Sequence, residues 1–295
     1  MRVGFVGTGI MGRPMAGRLQ EAGHPLFIVR HRSEPPRELL DAEALLVESA
    51  MAVAEASDVI FTMVPDTAAV EDALFRDRGV ATGLSPGKVV VDMSSISPSA
   101  TQVFAERVRE LGCEYLDAPV SGGDVGARDG TLSIMVGGPQ EAFERVRPLF
   151  DVMGRTVTLV GGSGAGQLCK VANQMIVGIN IAAVSEALVM ASKAGLDPVP
   201  VREALLGGFA SSRILEVHGQ RMIDRAFEPG GRIELHQKDL GLALAEAEQL
   251  GVATPMTSVC RDLMDACASQ GGAGWDHSAL IRAYELLADH ELGTL

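Results

Sequence analysis

Residues 2–17 read RVGFVGTGIMGRPMAG, in which a short apolar run leads directly into three spaced glycines and a helix-like segment. Gly7, Gly9 and Gly12 have the GxGxxG spacing of the turn between the first strand and the first helix of a dinucleotide-binding fold. The first glycine allows the tight turn, the second lets a pyrophosphate reach the backbone, and the third lets helix and strand pack closely. Free amides at the start of the helix favour the phosphates. The alternative is a tight turn that binds nothing. We predict that the cofactor-binding residues of this loop are Gly7, Gly9, Ile10, Met11 and Gly12.

The residues after the second predicted strand bear on which dinucleotide binds. An Asp or Glu commonly holds the ribose hydroxyls of NAD at this point, but the chain reads Arg30-His31-Arg32-Ser33. A guanidinium can pair with the 2′-phosphate of NADP, whereas a carboxylate would repel that phosphate. We predict that NADP(H) is preferred and is bound by Arg30, His31 and Arg32, with NAD(H) as a second cofactor. The alternative is that the arginines are solvated loop residues and NAD is preferred.

The first half of the chain alternates short β-branched runs with amphipathic segments, a pattern typical of a parallel sheet covered by helices on both faces. In the second half strand-like runs almost vanish, and the pattern is helical. Asp197 followed by Pro198 is expected to begin a helix, after Gly195 ends the previous one. The predicted fold class is α/β, with a Rossmann-like doubly wound domain at residues 1–162 and an all-α domain at residues 163–295. The predicted strands are Arg2–Val6, Pro25–Val29, Val59–Val64, Lys88–Met93, Glu114–Pro119, Leu132–Val136 and Thr156–Val160.

Composition and charge disfavour several classes of protein. The chain has 295 residues and a formal net charge of −13, so nucleic acids and anionic membrane surfaces are poor partners. Its four cysteines show no paired spacing, which favours reduced thiols in a cytoplasmic protein over a disulfide framework or a zinc site. Glycines interrupt the N-terminal apolar residues, so no signal peptide is expected. The apolar run from Val171 to Ala191 includes polar residues, which favours a buried helix over a membrane span. The alanine-rich helical half favours a homo-oligomer, a dimer or a tetramer.

Six segments spread over both halves of the chain carry a family resemblance. They are GTGIMGRPMA (7–16), DMSSISP (92–98), DAPVSGG (117–123), DGTLSIMVGG (129–138), GAGQLCKVANQ (164–174) and KDL (238–240). Together, and in this order, they resemble the β-hydroxyacid dehydrogenases. The resemblance implies hydride transfer between NAD(P)H and a small partner, a carboxylate-bearing aldehyde or a 3-hydroxyacid, in a cleft between the two domains.

Within the family, residues 180–188, 227–240 and 276–280 most resemble the members that reduce tartronate semialdehyde. Members acting on glyoxylate, succinic semialdehyde or 3-hydroxyisobutyrate are the alternatives, because spacing does not separate small acids that share a carboxylate and a carbonyl. Two residues depart from the pattern. Thr8 stands where the family usually has leucine, and Arg30 stands where the tartronate members often have an acid.

Lys170 is the residue to which the resemblance assigns proton transfer. Reduction needs a group that protonates the developing alkoxide, and Lys170 lies near the start of a long predicted helix, where the dipole favours the neutral amine. Such a lysine can act as an acid in reduction and as a base in oxidation. Asn173 lies three residues later on the same helix face, where it can orient the amine or the substrate hydroxyl. The alternative for Lys170 is an ordinary surface lysine. A non-catalytic NADP-binding module is the alternative of another class, and it would not need Lys170 and Asn173.

The other predicted site residues follow strand ends or come from the helical half. Ser121-Gly122-Gly123 offers a hydroxyl and exposed amides to a substrate carboxylate, the alternative being a flexible turn. By resemblance, Val64, Pro65 and Ser95 contact the cofactor, and Lys238 of the KDL segment closes over it. The predicted substrate-binding residues are Ser121, Gly122, Gly123, Ser95 and Asn173, and the further cofactor-binding residues are Val64, Pro65, Ser95 and Lys238.

Three histidines of the helical half, His218, His236 and His277, are far apart in the sequence and lack metal-ligand spacing. We therefore predict structural histidines and no metal site. His236 is the one closest to a predicted site residue, because it precedes Lys238 by two positions.

Overall fold

The computed structural model describes residues 1–30 and 34–293. The chain divides into two compact units, Met1–Lys170 and Val171–Leu295. Apolar cores are buried within each unit. Each unit is described by itself.

Within the described residues, the first unit is built on one nine-stranded sheet. The strands are β1 (Val3–Val6), β2 (Leu26–Val29), β3 (Leu45–Val47), β4 (Val59–Thr62), β5 (Val89–Asp92), β6 (Glu114–Asp117), β7 (Val120–Ser121), β8 (Leu132–Gly137) and β9 (Gly154–Gly161). The order is β3-β2-β1-β4-β5-β6-β8-β7, and β9 also pairs with β8. The strands from β3 to β6 are all parallel, and β8 pairs with β6 in the antiparallel sense. The order reverses between β1 and β4, so the loops that follow these two strands flank the switch point at which ligands bind in such sheets.

Helices cover both faces of this sheet. The helices of the first unit are α1 (Gly12–Glu21), α2 (Arg37–Asp41), α3 (Ala50–Ala56), α4 (Thr67–Phe75), α5 (Pro98–Arg109), α6 (Gly123–Asp129) and α7 (Gln140–Met153), with a 3₁₀ turn at Val80–Gly83. Every residue of β1, β4 and β5 is buried, as expected for parallel strands covered on both sides. One apolar cluster joins the sheet to α1 and α7, and another joins it to α3, α4 and α5. The predicted doubly wound fold is confirmed.

Two short strands were absent from the prediction. Strand β3 lies at the edge of the sheet, and its Leu45 and Leu46 are exposed. Strand β7 has two residues, Val120 and Ser121. Neither strand is long enough to give a periodic pattern, so only its pairing with a neighbour defines it.

The second unit contains helices and no strand among its described residues. Its helices are the later part of α8 (Ala165–Lys193), followed by α9 (Pro198–Leu206), α10 (Arg213–Ile223), α11 (Ile233–Leu250), α12 (Pro255–Ser269) and α13 (Ile281–Ala288), with 3₁₀ turns at Gly272–Gly274 and His277–Leu280. Asp197 caps α9 as predicted, accepting a hydrogen bond from the Val199 amide at 2.9 Å. Gly195, with φ of +86°, follows the end of α8. The prediction of an all-helical second half is confirmed.

Helix α8 bears on two sequence expectations. The compact units divide after Lys170, inside this helix, because its first turn is bonded to the sheet of the first unit. The helix is also the one described segment that is long and apolar enough to cross a membrane, with a mean hydropathy of 1.8 in its most apolar window. Half of that window is buried within the protein. Core helices of soluble proteins have the same character, so the resemblance to a membrane span is weak evidence for one.

Candidate active site

The glycine loop between β1 and α1 has the geometry that its spacing predicts. Gly7 has φ of +102°, and a side chain there would collide with the carbonyl oxygen of Met63. A side chain at Gly12 would collide with the carbonyl oxygen of Gly7. Both glycines are therefore required by the turn and by close packing. By contrast, a Cβ at Gly9 would meet no atom of the described residues within 4 Å.

The open space at Gly9 is the observation that tests whether a dinucleotide fits. No contact with residues 1–30 or 34–170 explains a glycine there, whereas close approach of a pyrophosphate to the backbone does. Helix α1 begins at Gly12, and its N-cap residue, Met11, makes no side-chain hydrogen bond to the first turn. The neighbouring Ile10 is exposed. The amides at this helix start are thus placed to bind phosphate oxygens.

Arg30 directly follows β2 and forms an ion pair with Glu34. Both side chains are exposed, so the pair is weak and a phosphate could replace the carboxylate. The other two residues predicted to bind the ribose phosphate, His31 and Arg32, lie outside the described residues.

A buried carboxylate joins the loops after β4 and β5. Asp92 accepts hydrogen bonds from the Thr62 hydroxyl at 2.7 Å, from the Ser94 amide at 3.1 Å and from the Tyr115 hydroxyl at 3.3 Å. The Ser94 hydroxyl in turn accepts from the Val64 amide at 3.0 Å. This chain of bonds fixes the backbone next to Pro65 and Ser95, two predicted cofactor-binding residues. Burial raises the pKa of Asp92 to about 6.

A second buried carboxylate, Asp117, holds the first turn of α8. One oxygen accepts from the Gly164 amide at 2.8 Å, and the other accepts from the Gln167 amide at 2.9 Å. The Gln167 side chain accepts from the Ile96 amide at 3.1 Å and donates to the Ser94 carbonyl at 2.7 Å. Burial raises the pKa of Asp117. Two of these bonds tie the start of the helix to β6, and the two bonds of the Gln167 side chain tie it to the loop that contains Ser95.

Lys170 lies one turn after Gln167, in the part of α8 that belongs to the first unit. It is 8% exposed, so the alternative of an ordinary surface lysine is disfavoured. A lysine nearly removed from water loses part of the hydration of its charged form. Such a group is suited to giving and taking a proton.

The predicted carboxylate-binding segment crosses the end of β7 and the start of α6. Ser121 is half-buried and pairs with Ser133 of β8. Gly122 and Gly123 have φ of +139° and +64°, backbone conformations that favour glycine. Within the part of the chain that the structure describes, a Cβ at Gly123 would meet no atom within 4 Å. The segment therefore presents a hydroxyl and uncovered backbone, as a carboxylate requires.

The predicted site residues of the second unit are joined to one another. The side-chain amide of Asn173 donates to the side-chain oxygen of Gln174 at 2.8 Å, and the side-chain amide of Gln174 donates to Asp239 at 2.6 Å. The other oxygen of Asp239 lies 3.1 Å from the Lys238 ammonium nitrogen. Asn173 and Lys238 are thus the two ends of a chain that passes through Gln174 and Asp239.

The three histidines are close together in the structure, although they are far apart in the sequence. His277 contacts His236 on one side, at 2.9 Å between the Nδ1 atoms, and His218 on the other, at 3.3 Å between the Nε2 atoms. Candidate ligand atoms of His218, His277 and Asp276 all lie within 4.8 Å of one another. Each imidazole nevertheless has hydrogen-bond partners in the protein. No local motif signals this cluster, because its members come from three different segments.

Two family models match this chain over nearly its whole length. Residues 2–162 match the NAD-binding domain of 6-phosphogluconate dehydrogenase. Residues 164–284 match the NAD-binding domain of NADP-dependent 3-hydroxyisobutyrate dehydrogenase. The chain belongs to the β-hydroxyacid dehydrogenase family. It is an NAD(P)-dependent oxidoreductase, as the resemblance of its motifs predicted.

Curated and solved relatives agree with this assignment. The chain is 59% identical over 292 residues, 99% of its length and all of the relative, to 2-hydroxy-3-oxopropionate reductase of Escherichia coli strain K12. A crystal structure of 3-hydroxyisobutyrate dehydrogenase from Salmonella typhimurium superposes with a TM-score of 0.87 at 30% identity, covering 96% of this chain and 99% of that one. Psf3, solved in complex with NADP⁺ and 2-OPP, gives a TM-score of 0.88 at 28% identity with the same coverage.

Several groups that build the site were missed by sequence reasoning. Asp92, Asp117 and Gln167 lie within the family segments, but nothing in their spacing shows what they contact. Tyr115 and Thr62 gave no signal, because each is an ordinary strand residue in the sequence. A polar residue in an otherwise apolar strand, VIFT, is the one feature that could have marked Thr62.

Proposed function

We propose that this protein reduces a small carboxylate-bearing aldehyde with NADPH, and that the aldehyde is tartronate semialdehyde, also called 2-hydroxy-3-oxopropionate. The substrate rests on the full-length similarity to the Escherichia coli reductase. The chemistry rests chiefly on one observation, the burial of Lys170 on a helix segment that Asp117 and Gln167 hold against the loop of Ser95.

Each predicted residue has a separate task in this reaction. The bound nicotinamide cofactor supplies the hydride. Lys170 donates a proton to the carbonyl oxygen as negative charge develops there. Ser121 and the backbone of Gly122 and Gly123 bind the substrate carboxylate, and Asn173 orients the substrate hydroxyl or the amine. A hydroxyacid, glycerate for this substrate, is the product.

The preference for NADPH rests on Arg30. A guanidinium can bind the 2′-phosphate in a bidentate manner, and its present partner, Glu34, is exposed. His31 and Arg32 are proposed to assist. Lys238 is proposed to contact the cofactor from the second unit, together with Val64, Pro65 and Ser95 from the first.

Further properties follow from the sequence and are part of the proposal. The domain division at residues 1–162 and 163–295, a cytoplasmic location, and assembly into a homo-oligomer are proposed. Nucleic acids and membranes are not proposed as partners, because the net charge is −13. Light scattering coupled to gel filtration measures the assembly directly, and a monomeric mass would contradict it.

The test is steady-state oxidation of NADPH, with NADH in parallel, over tartronate semialdehyde, succinic semialdehyde, glyoxylate and methylmalonate semialdehyde. We expect the largest kcat/KM for tartronate semialdehyde with NADPH. A larger value for another aldehyde would reassign the substrate, and a lower KM for NADH would overturn the cofactor preference. If no aldehyde is reduced although NADPH binds, a non-catalytic binding module becomes the better account.

A further inference from the structure

Three imidazoles of the second unit form a continuous row, in which His236 is buried and His218 and His277 are half-buried. The Nε2 atom of His236 lies 3.0 Å from the carbonyl oxygen of Gln174. The Nδ1 atoms of His236 and His277 are 2.9 Å apart, and the Nε2 atoms of His277 and His218 are 3.3 Å apart. In the row, His236 and His277 each use both ring nitrogens, and His218 uses its Nε2 atom. We call these three residues the histidine row.

The carbonyl oxygen of Gln174, at one end of the row, determines which ring nitrogens carry protons. A carbonyl oxygen can only accept, so Nε2 of His236 must donate to Gln174. In a neutral ring the other nitrogen then accepts, so Nδ1 of His277 donates to His236. By the same count, Nε2 of His218 donates to His277. The carbonyl of Gln174 thus sets the tautomer of all three rings when they are neutral.

The far end of the row has room for one more proton. Nδ1 of His218 is buried, has no hydrogen-bond partner in the described part of the chain, and lies 3.7 Å from a carboxylate oxygen of Asp276. Arg221 lies 3.6 Å from the same oxygen, and the charge of Arg213 also acts on His218. A first proton at Nδ1 of His218 breaks none of the three bonds. A second proton places two N–H groups face to face and breaks the row.

A hydrogen-bonded row explains this cluster better than a metal site does. Asp276 is fully engaged within the protein: one oxygen accepts from the amides of Gly230 and Gly231, each at 3.0 Å. The other accepts from the amide and the hydroxyl of Ser278, at 3.1 and 2.6 Å. A metal ion would have to displace these bonds to gain the carboxylate as a ligand.

The row ends on the residue that joins the predicted site residues of this unit. Residue 178, one turn after Gln174 on α8, is glycine, and a Cβ there would lie 3.2 Å from Nε2 of His236 and 3.2 Å from Sγ of Cys260. A glycine inside a helix is unfavourable compared with alanine, so its presence fits the close approach of these two side chains. The Gln174 side chain then holds Asn173 and Asp239.

We infer that His236, His277 and His218 are positioning residues, which hold Gln174 and through it orient Asn173 and Lys238 for the reaction. This inference rests on the proposed function for the reaction itself. The row contacts neither substrate nor cofactor in this account. Its contribution is to fix one donor, the Nε2–H group of His236, in one direction.

The first experiment needs no turnover. The full-length protein is labelled with ¹⁵N in its histidine rings, and the tautomers are measured by two-bond ¹H–¹⁵N correlation near pH 7.5. Single His→Gln variants assign the signals. We expect an Nδ1–H tautomer for His277 and Nε2–H tautomers for His236 and His218. An Nε2–H tautomer at His277, or an Nδ1–H tautomer at His236, would overturn the inference whatever the enzyme's substrate is.

The second experiment compares two substitutions at His236 in the full-length enzyme. His236→Gln keeps an amide donor near the position of Nε2, whereas His236→Leu has none. We expect kcat to fall about tenfold in His236→Leu, the effect of one lost hydrogen bond, and to stay within about threefold of the unmodified enzyme in His236→Gln. His24→Gln is the matched control and should leave kcat unchanged.

The outcomes separate the two proposals. Equal kcat values for His236→Leu and the unmodified enzyme, or equal losses in the leucine and glutamine variants, would refute the positioning role. If the unmodified enzyme reduces none of the aldehydes, the proposed function has failed, and the tautomers still decide the histidine row. If the leucine variant does not fold, the glutamine variant and the tautomers remain as tests.

Discussion

Both units place a polar network beside their predicted site residues, but the networks are built from opposite kinds of group. The first unit uses two carboxylates, Asp92 and Asp117, and each accepts hydrogen bonds from backbone amides. The second unit uses a row of imidazoles that ends at Gln174. A carboxylate can accept several hydrogen bonds at once, whereas a neutral imidazole accepts a hydrogen bond at one nitrogen and donates one from the other. The first network therefore suits the fixing of loops, and the second suits the orientation of one group.

The same physical cause moves the two networks in opposite directions on the pH scale. Burial disfavours the charged form of any group. It raises the pKa of Asp92 to about 6, and it lowers the pKa of His218 and, further, that of His277. Both networks are thereby pushed toward neutrality. Three substitutions and one change of pH test this difference between the two networks.

The largest expected effect concerns the lysine held by the first network. Lys170→Ala should lower kcat about a hundredfold to ten-thousandfold, because it removes the proton donor. The dissociation constant for NADPH, measured by fluorescence titration, should change little. Lys193→Ala, on the same helix, is the control and should retain full turnover. Substantial turnover in the Lys170 variant would show that another group supplies the proton.

Asp117→Asn should break the first network at its most bonded point. Both oxygens of Asp117 accept from backbone amides, and an asparagine would turn an NH₂ group toward one of them. We expect the free energy of unfolding to fall by about 2 kcal/mol, measured by urea denaturation. Asp151→Asn, at an exposed pair with Arg147, should cost less than about 0.5 kcal/mol. Equal losses in the two variants would mean that burial adds nothing to the role of Asp117.

Arg30 provides an exposed contrast to these buried groups. Arg30→Ala should raise the KM for NADPH about tenfold, the effect of one charged hydrogen bond, and leave the KM for NADH unchanged. Arg109→Ala, an exposed arginine of the same unit, is the control. A parallel rise in both KM values would indicate a general effect on the fold of the loop instead of contact with the 2′-phosphate.

The smallest expected effect is the opposite response of the two units to acid. Folding raises the pKa of Asp92 to about 6, so the folded state binds this proton more readily than the unfolded chain does. The contribution of Asp92 to the free energy of unfolding therefore grows as the pH falls through about 6 and is lost as the pH rises through it. Folding lowers the pKa of His218 and of His277. Below about pH 6.5 the unfolded chain therefore binds protons at these rings more readily than the folded state does. The histidine row should therefore lose stability over the same range.

Hydrogen exchange measured by mass spectrometry near pH 7.5 and near pH 5.5 compares the two units. After correction for intrinsic exchange, peptides of β5 should become more protected at the lower pH, and peptides of α10 less protected. Asp92→Asn should abolish the change in β5 and leave that in α10. Changes of the same sign in both units would refute the contrast.

Local patterns in the sequence were sufficient for the fold and for the cofactor loop. The apolar run Val3–Val6 and the glycines at positions 7 and 12 act on their own backbone, so their spacing alone predicts the turn that the structure has. The parallel sheet follows likewise from buried β-branched runs. The role of Lys170 came from resemblance, and it stays a prediction, although its burial fits it.

Tertiary structure alone decided which polar groups meet. His277 and His236 are 41 residues apart in the chain, and His277 and His218 are 59 residues apart, so no spacing rule joins them. Asp92 and Tyr115 meet because their strands are adjacent and parallel in the sheet, a pairing that no local sequence pattern predicts. Turns and helix caps depend on a few consecutive residues, and sequence determines them. Networks between strands and helices depend on how distant segments pack, and only the folded chain brings their members together.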